Sequence, residues 1–85
     1  MRIIKIGAVW CPSCLVMRSV WKKVLTEIKV DIEEYDYDVN YDVIEKYNVG
    51  IKLPVVIMLD DNNNEVKRII GEKSKDELLM FLKEE

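Results

Sequence analysis

Residues 54 to 59, PVVIML, form an unbroken apolar run in a chain that otherwise mixes charge closely with hydrophobic residues. A strand with one solvated face alternates apolar and polar side chains; a continuous run needs cover on both faces. The chain must therefore supply neighbouring strands and helices for either side of this segment. A run this short does not span a bilayer as a helix, which takes roughly 20 apolar residues, so no membrane element is expected. At 85 residues, with 34% of them charged, residues 1–85 are expected to form a single soluble domain.

The flanking sequence supplies the missing elements. Residues 2 to 9, RIIKIGAV, carry the β-branched residues of a strand. From Pro12 to about Lys29 the period changes: Met17, Trp21, Val24 and Ile28 recur at helical spacing, and Pro12 suits a first helical turn. Residues 31 to 39, DIEEYDYDV, read as a second strand with Tyr35, Tyr37 and Val39 on one face. Asp42 and Glu45 have the spacing of a capping box and predict a short helix through Tyr47, closed by Gly50. DDNNN, 60 to 64, is turn chemistry, and EVKRII, 65 to 70, predicts a hairpin with the apolar strand. Ser74 and Glu77 form a second capping-box pattern before a last helix with Leu78, Leu79, Phe81 and Leu82 inward. The predicted order is β-α-β-α-β-β-α: an α/β fold with a four-stranded mixed sheet flanked by three helices.

Cys11 and Cys14, in WCPSC, are the only cysteines and fall where the first strand meets the first helix. Three readings are open. They can be small core residues. They can be half of a zinc site, although the chain has no histidine and no further cysteine to complete four ligands without a second copy. Or they can be a redox pair. In that case the free N–H groups and dipole of the helix end favour a thiolate at Cys11. Cys14 lies three residues on, along the same helical face, so a disulfide opens and closes without moving the fold. This reading expects an exposed attacking sulfur and a sheltered resolving one.

The net charge of −3 gives no cause to expect nucleic acid as a partner. The N-terminus lacks a signal-like apolar stretch, and a cytoplasmic, monomeric protein is expected. Asp60, Asn62 and Asn64 share the opening of a calcium loop, but Glu65 and Gly71 stand where such a loop needs glycine and a bidentate glutamate. The acidic stretch Glu33, Glu34, Asp36 and Asp38 reads as a solvated edge, or as a surface for a basic partner. No phosphate-cradling glycine loop is present, so no bound nicotinamide or flavin cofactor is expected.

WCPSC resembles the active-site pentapeptide of the thioredoxin family. YNVGIKLPVVIML is similar to that family's cis-proline strand, and GEKSKDELLMFL to its closing glycine and final helix. The match runs in order through most of the chain. The short length and the proline after the first cysteine are glutaredoxin-like. The resemblance implies a thioredoxin-like fold and a thiol–disulfide oxidoreductase acting on protein disulfides through Cys11 and Cys14. It implies a cis Pro54 beside the cysteines, backbone groups at Leu53 that pair with an extended peptide, and a flat apolar surface at Trp10. Pro12, Ser13 and Gly71 would complete the substrate-binding surface, Gly71 by allowing close backbone approach. A separate flavoprotein reductase, or glutathione, would restore the dithiol. The alternatives are a glutathione-dependent glutaredoxin and a non-catalytic redox-responsive binding module. One position departs from the pattern: Lys5 stands where the family usually carries a buried acid. A strand lysine of this kind is expected to be exposed.

Overall fold

The computed structural model of the protein describes residues 2–83. Four strands, β1 (Arg2–Gly7), β2 (Asp31–Asp36), β3 (Val55–Leu59) and β4 (Glu65–Ile70), form one sheet in the order β2-β1-β3-β4. β1 pairs parallel with β2 and antiparallel with β3, and β3 and β4 make the expected antiparallel hairpin. β1 and β3 are therefore central, and β2 and β4 are edges. Every residue of β3 is buried, as an unbroken apolar run requires. The helices are α1 (Pro12–Leu25), α2 (Tyr41–Lys46) and α3 (Lys75–Lys83).

The alternation of side chains along β1 and β3 divides the core in two. Ile3, Val56 and Met58 face α1 and α3, where they meet Met17, Trp21, Val24, Leu78 and Phe81. Ile4, Ile6, Val55, Ile57 and Leu59 face the other way, toward Val43 and Ile44 of α2, Tyr47 at its C-terminal cap, and Cys11. Among the described residues no polar or charged residue is fully buried, so packing rather than interior ion pairing holds the layers together.

Several boundaries differ from the sequence expectation. β1 ends at Gly7, and the Cys11 amide donates to the Ala8 carbonyl at 3.2 Å to close a turn into α1. α1 stops at Leu25 because the Thr26 hydroxyl donates to the Lys23 carbonyl at 2.6 Å and tightens the last turn, yet Ile28 still reaches the core. β2 ends at Asp36, whose side chain accepts from the Asp38 amide at 2.8 Å while its own amide donates to the Asn40 side chain at 2.8 Å. That turn makes Asn40 the N-cap of α2, so the expected Asp42–Glu45 capping box does not form. The chain leaves α2 through Asn48 at a φ of 51°, rather than at Gly50. The second capping box forms reciprocally: Ser74 N donates to Glu77 Oε1 and Glu77 N to Ser74 Oγ, both at 3.2 Å. The Asp60 side chain accepts from the amides of Asn62 and Asn64, at 2.8 and 2.9 Å, and so builds the hairpin turn. No helix among the described residues is long and apolar enough to cross a membrane.

Candidate active site

Cys11 caps the amino end of α1. Its backbone is extended, and its Sγ accepts the Cys14 amide at 3.2 Å. One of the orphan N–H groups of the helix thus points at this sulfur, and the dipole of the helix adds to it. Pro12 occupies the first turn, where its missing N–H leaves nothing unpaired. Pro12 is exposed and Ser13 half-buried.

The relative exposure of the two cysteines reverses the sequence expectation. Cys11 is 5% exposed, while Cys14 is half-buried. The cause is tertiary. Leu53 returns beside Ala8 and Cys11 in the core cluster on the α2 side, a contact that local spacing does not reveal. The thiol of Cys14 is nonetheless the one whose charge is disfavoured. Burial pushes it up to about 11, and its hydrogen bond to Cys11 adds to the shift, while a backbone hydrogen bond at Ala8 and the charge of Arg18 act in the opposite direction. Cys14 therefore holds its proton near neutral pH and directs it toward Cys11.

The Leu53–Pro54 peptide is cis, and both residues are buried. The Pro54 carbonyl accepts the Gly71 amide at 2.8 Å, which ties the loop after β4 to the loop before β3. Gly71 has a φ of 92°, and no atom lies near the position its Cβ would take. Its glycine is required by backbone conformation, not by close approach within the chain. Trp10 is 53% exposed. Its Nε1 donates to Asp38 Oδ2 at 2.7 Å, and its ring meets Tyr37 edge-on at 6.1 Å between centroids. Ile51, 81% exposed, lies two residues before Leu53 in the segment that leads to the cis peptide.

Gly7 belongs to the site and was not singled out by its sequence. A Cβ at this position would lie 3.2 Å from Cys14 Sγ. A glycine within a strand signals close approach of something, but only the fold identifies that partner as Cys14. Gly7→Val is expected to cost about 1–3 kcal/mol through overpacking. Chemical denaturation of the reduced protein checks this; an unchanged midpoint would show that Cys14 simply moves aside.

Lys5 is not the exposed strand lysine expected. Its side chain is 20% exposed, bonded to Glu34 Oε1 at 2.8 Å and lying 4.8 Å from the centre of the Trp21 ring. The two residues are paired in the β1–β2 register, and this hydrogen bond holds the Glu34 carboxyl below the usual carboxylate range. Lys5, Cys14, Arg18, Trp21, Glu34 and Pro54 help line a cavity of about 340 Å³.

A mixed sheet with two thiols at a helix end beside a cis-proline loop defines the thioredoxin-type class of disulfide-exchange proteins. The comparisons with known proteins agree. The thioredoxin family profile matches residues 1–84. The thioredoxins of Mycobacterium tuberculosis and Mycobacterium bovis are each 30% identical over 82 residues, an alignment spanning 94% of this chain and 69% of theirs. Among solved structures, Trxlp of Edwardsiella tarda superposes with a TM-score of 0.86 at 22% identity, covering 98% of this chain and 82% of that one. Thioredoxin 1 of Thermosipho africanus gives 0.80 at 26% identity, covering 96% and 90%. The chain belongs to the thioredoxin family and is a thiol–disulfide oxidoreductase.

Proposed function

We propose that Cys11 is the attacking sulfur and Cys14 the resolving sulfur of a reversible dithiol that reduces protein disulfides, with residues 1–85 working as one domain. The observation that carries this reading is the division of labour at the helix end: the Cys14 amide donates to Cys11 Sγ, while the Cys14 thiol keeps its proton. Cys11 attacks one sulfur of the substrate, the substrate S–S bond breaks, and the first substrate thiolate leaves. Cys14 then loses its proton and attacks Cys11 Sγ. The second substrate thiolate departs and a Cys11–Cys14 bond remains. Two electrons have passed to the substrate, and an external reductant must return them.

Trp10, Pro12, Ser13, Leu53, Pro54 and Gly71 would form the substrate surface around these sulfurs, with the exposed rings of Trp10 and Pro12 at its rim. Reduction of insulin disulfides with a chemical dithiol as donor tests the reading. Accelerated precipitation of the insulin chains is expected; a protein that binds but does not accelerate it is a binding module instead.

The donor is proposed to be a flavin-containing protein reductase. A glutathione site typically carries a threonine or similar polar residue before the cis-proline, where this chain has the buried Leu53; Lys52 and Lys73 supply charge that attracts a carboxylate, but the exposed Trp10 suits a protein partner. In an NADPH-coupled assay, turnover is expected with a thioredoxin-type reductase of the same organism. Turnover with glutathione and glutathione reductase alone would reverse the choice.

A further inference from the structure

We propose that Arg18 is a positioning residue for the second step, stabilising the Cys14 thiolate across the cavity that both residues line. The proposal rests on the assignment of Cys14 as the resolving sulfur. Arg18 follows Cys14 by four residues on α1, so the two side chains share a helix face, and both border the same cavity. Arg18 is exposed and its side chain makes no hydrogen bond or ion pair among the described residues; its charge acts on Glu34, which Lys5 holds more strongly, as well as on Cys14.

The other charged and titratable groups lining the cavity are otherwise engaged. On β1, Lys5 is neutralised by Glu34 of β2. Next along β2, the Tyr35 hydroxyl donates to Glu33, and Asp36 accepts the Asp38 amide. Cys11 faces Cys14 from the helix cap. The indole N–H of Trp21 has no partner among the described residues, and a cavity of about 340 Å³ lined by such groups can admit water. The proton of Cys14 therefore has a route to solvent base.

Once the mixed disulfide forms, Cys11 no longer supplies the hydrogen bond and charge that had opposed ionisation of Cys14. Burial still opposes it, while the Ala8 backbone and, after it, the charge of Arg18 favour it. The thiolate pair then forms the Cys14–Cys11 bond as the bond from Cys11 to the substrate sulfur breaks. A lower thiolate pKa raises the reactive fraction but reduces intrinsic nucleophilicity, so the net effect at about pH 7 is roughly 3–4-fold in rate for each tenfold change in thiolate fraction.

The test is stopped-flow reaction of the reduced protein with dithiodipyridine, a neutral disulfide that releases a thiopyridone at each step. Arg18→Gln is expected to leave the first release unchanged and slow the second about 2–4-fold at neutral pH, with its pH profile displaced upward. Arg18→Glu should slow it more, and Arg18→Lys should restore most of the rate. High salt should slow the second phase of the natural protein toward the Gln variant, whose rate should be nearly salt-independent, because the screening length falls to about 3 Å at 1 M. An unaltered second phase in Arg18→Gln overturns the proposal, as does equal slowing of both phases. Absence of any first release from the natural protein would instead remove the assignment of the two sulfurs, and this proposal with it.

Discussion

Cys11→Ser is expected to abolish disulfide reduction to the uncatalysed background, while Cys14→Ser keeps the first half-reaction and accumulates a mixed disulfide with substrate. Serine at Cys11 removes the only sulfur that receives the Cys14 amide at the helix end, and an alcohol does not ionise in the thiol range. Serine at Cys14 keeps that amide and removes only the group that would release the substrate. The two variants therefore fail differently, which mass spectrometry of the trapped species reads directly. Cys11→Ser should also bring the Cys14 thiol down from about 11, because it removes the sulfur whose hydrogen bond and charge raise it. Accumulation of adducts on Cys14 in Cys11→Ser, at the rate seen for Cys11 in Cys14→Ser, would exchange the two roles.

The largest effect on stability is expected from Leu78→Ala. Leu78 is fully buried where α3 meets α1 and the sheet, among Met17, Trp21 and Phe81. Removing a leucine from such a site leaves a cavity and costs about 2–5 kcal/mol. Small domains of this size retain only roughly 0.05–0.15 kcal/mol per residue in total, so the variant should sit near its unfolding midpoint at moderate temperature. Because α3 supports the helix that carries both cysteines, activity should be lost with folding rather than independently of it. Urea denaturation followed by Trp21 fluorescence measures the change. A loss below 1 kcal/mol would mean that the α1–α3 interface collapses around the gap.

Local patterns in the sequence were reliable where the chain satisfies itself. The apolar run at 55–59 is buried throughout, and Ser74 and Glu77 bond to each other as their spacing predicts. The same spacing at Asp42 and Glu45 failed because the turn from Asp36 to Asn40 delivers the chain into α2 two residues earlier. Readings that depend on distant partners were less legible. The pairing of Lys5 with Glu34 follows from the register of two strands separated by α1, and alternation alone does not assign that register. The burial of Cys11 depends on the return of Leu53, and the need for Gly7 depends on where Cys14 lies. The cysteine pair and its setting at a strand–helix junction were evident from residue types; the groups that govern their protons were not.

β2 lies at the edge of the sheet, so one side of its backbone is left without a strand partner in the order β2-β1-β3-β4. Open edges recruit further strands, and natural sheets guard them with charge. This edge reads DIEEYD, with Asp31 and Glu34 exposed. Glu33 and Glu34 are held by Arg2 and Lys5 of β1, so a second copy approaching edge to edge would meet charged side chains that must shed water before any backbone bond could form. The acids of β2 thus serve as a barrier to self-templating, allowing the chain to present an unpaired strand to solvent without growing into a continuous sheet.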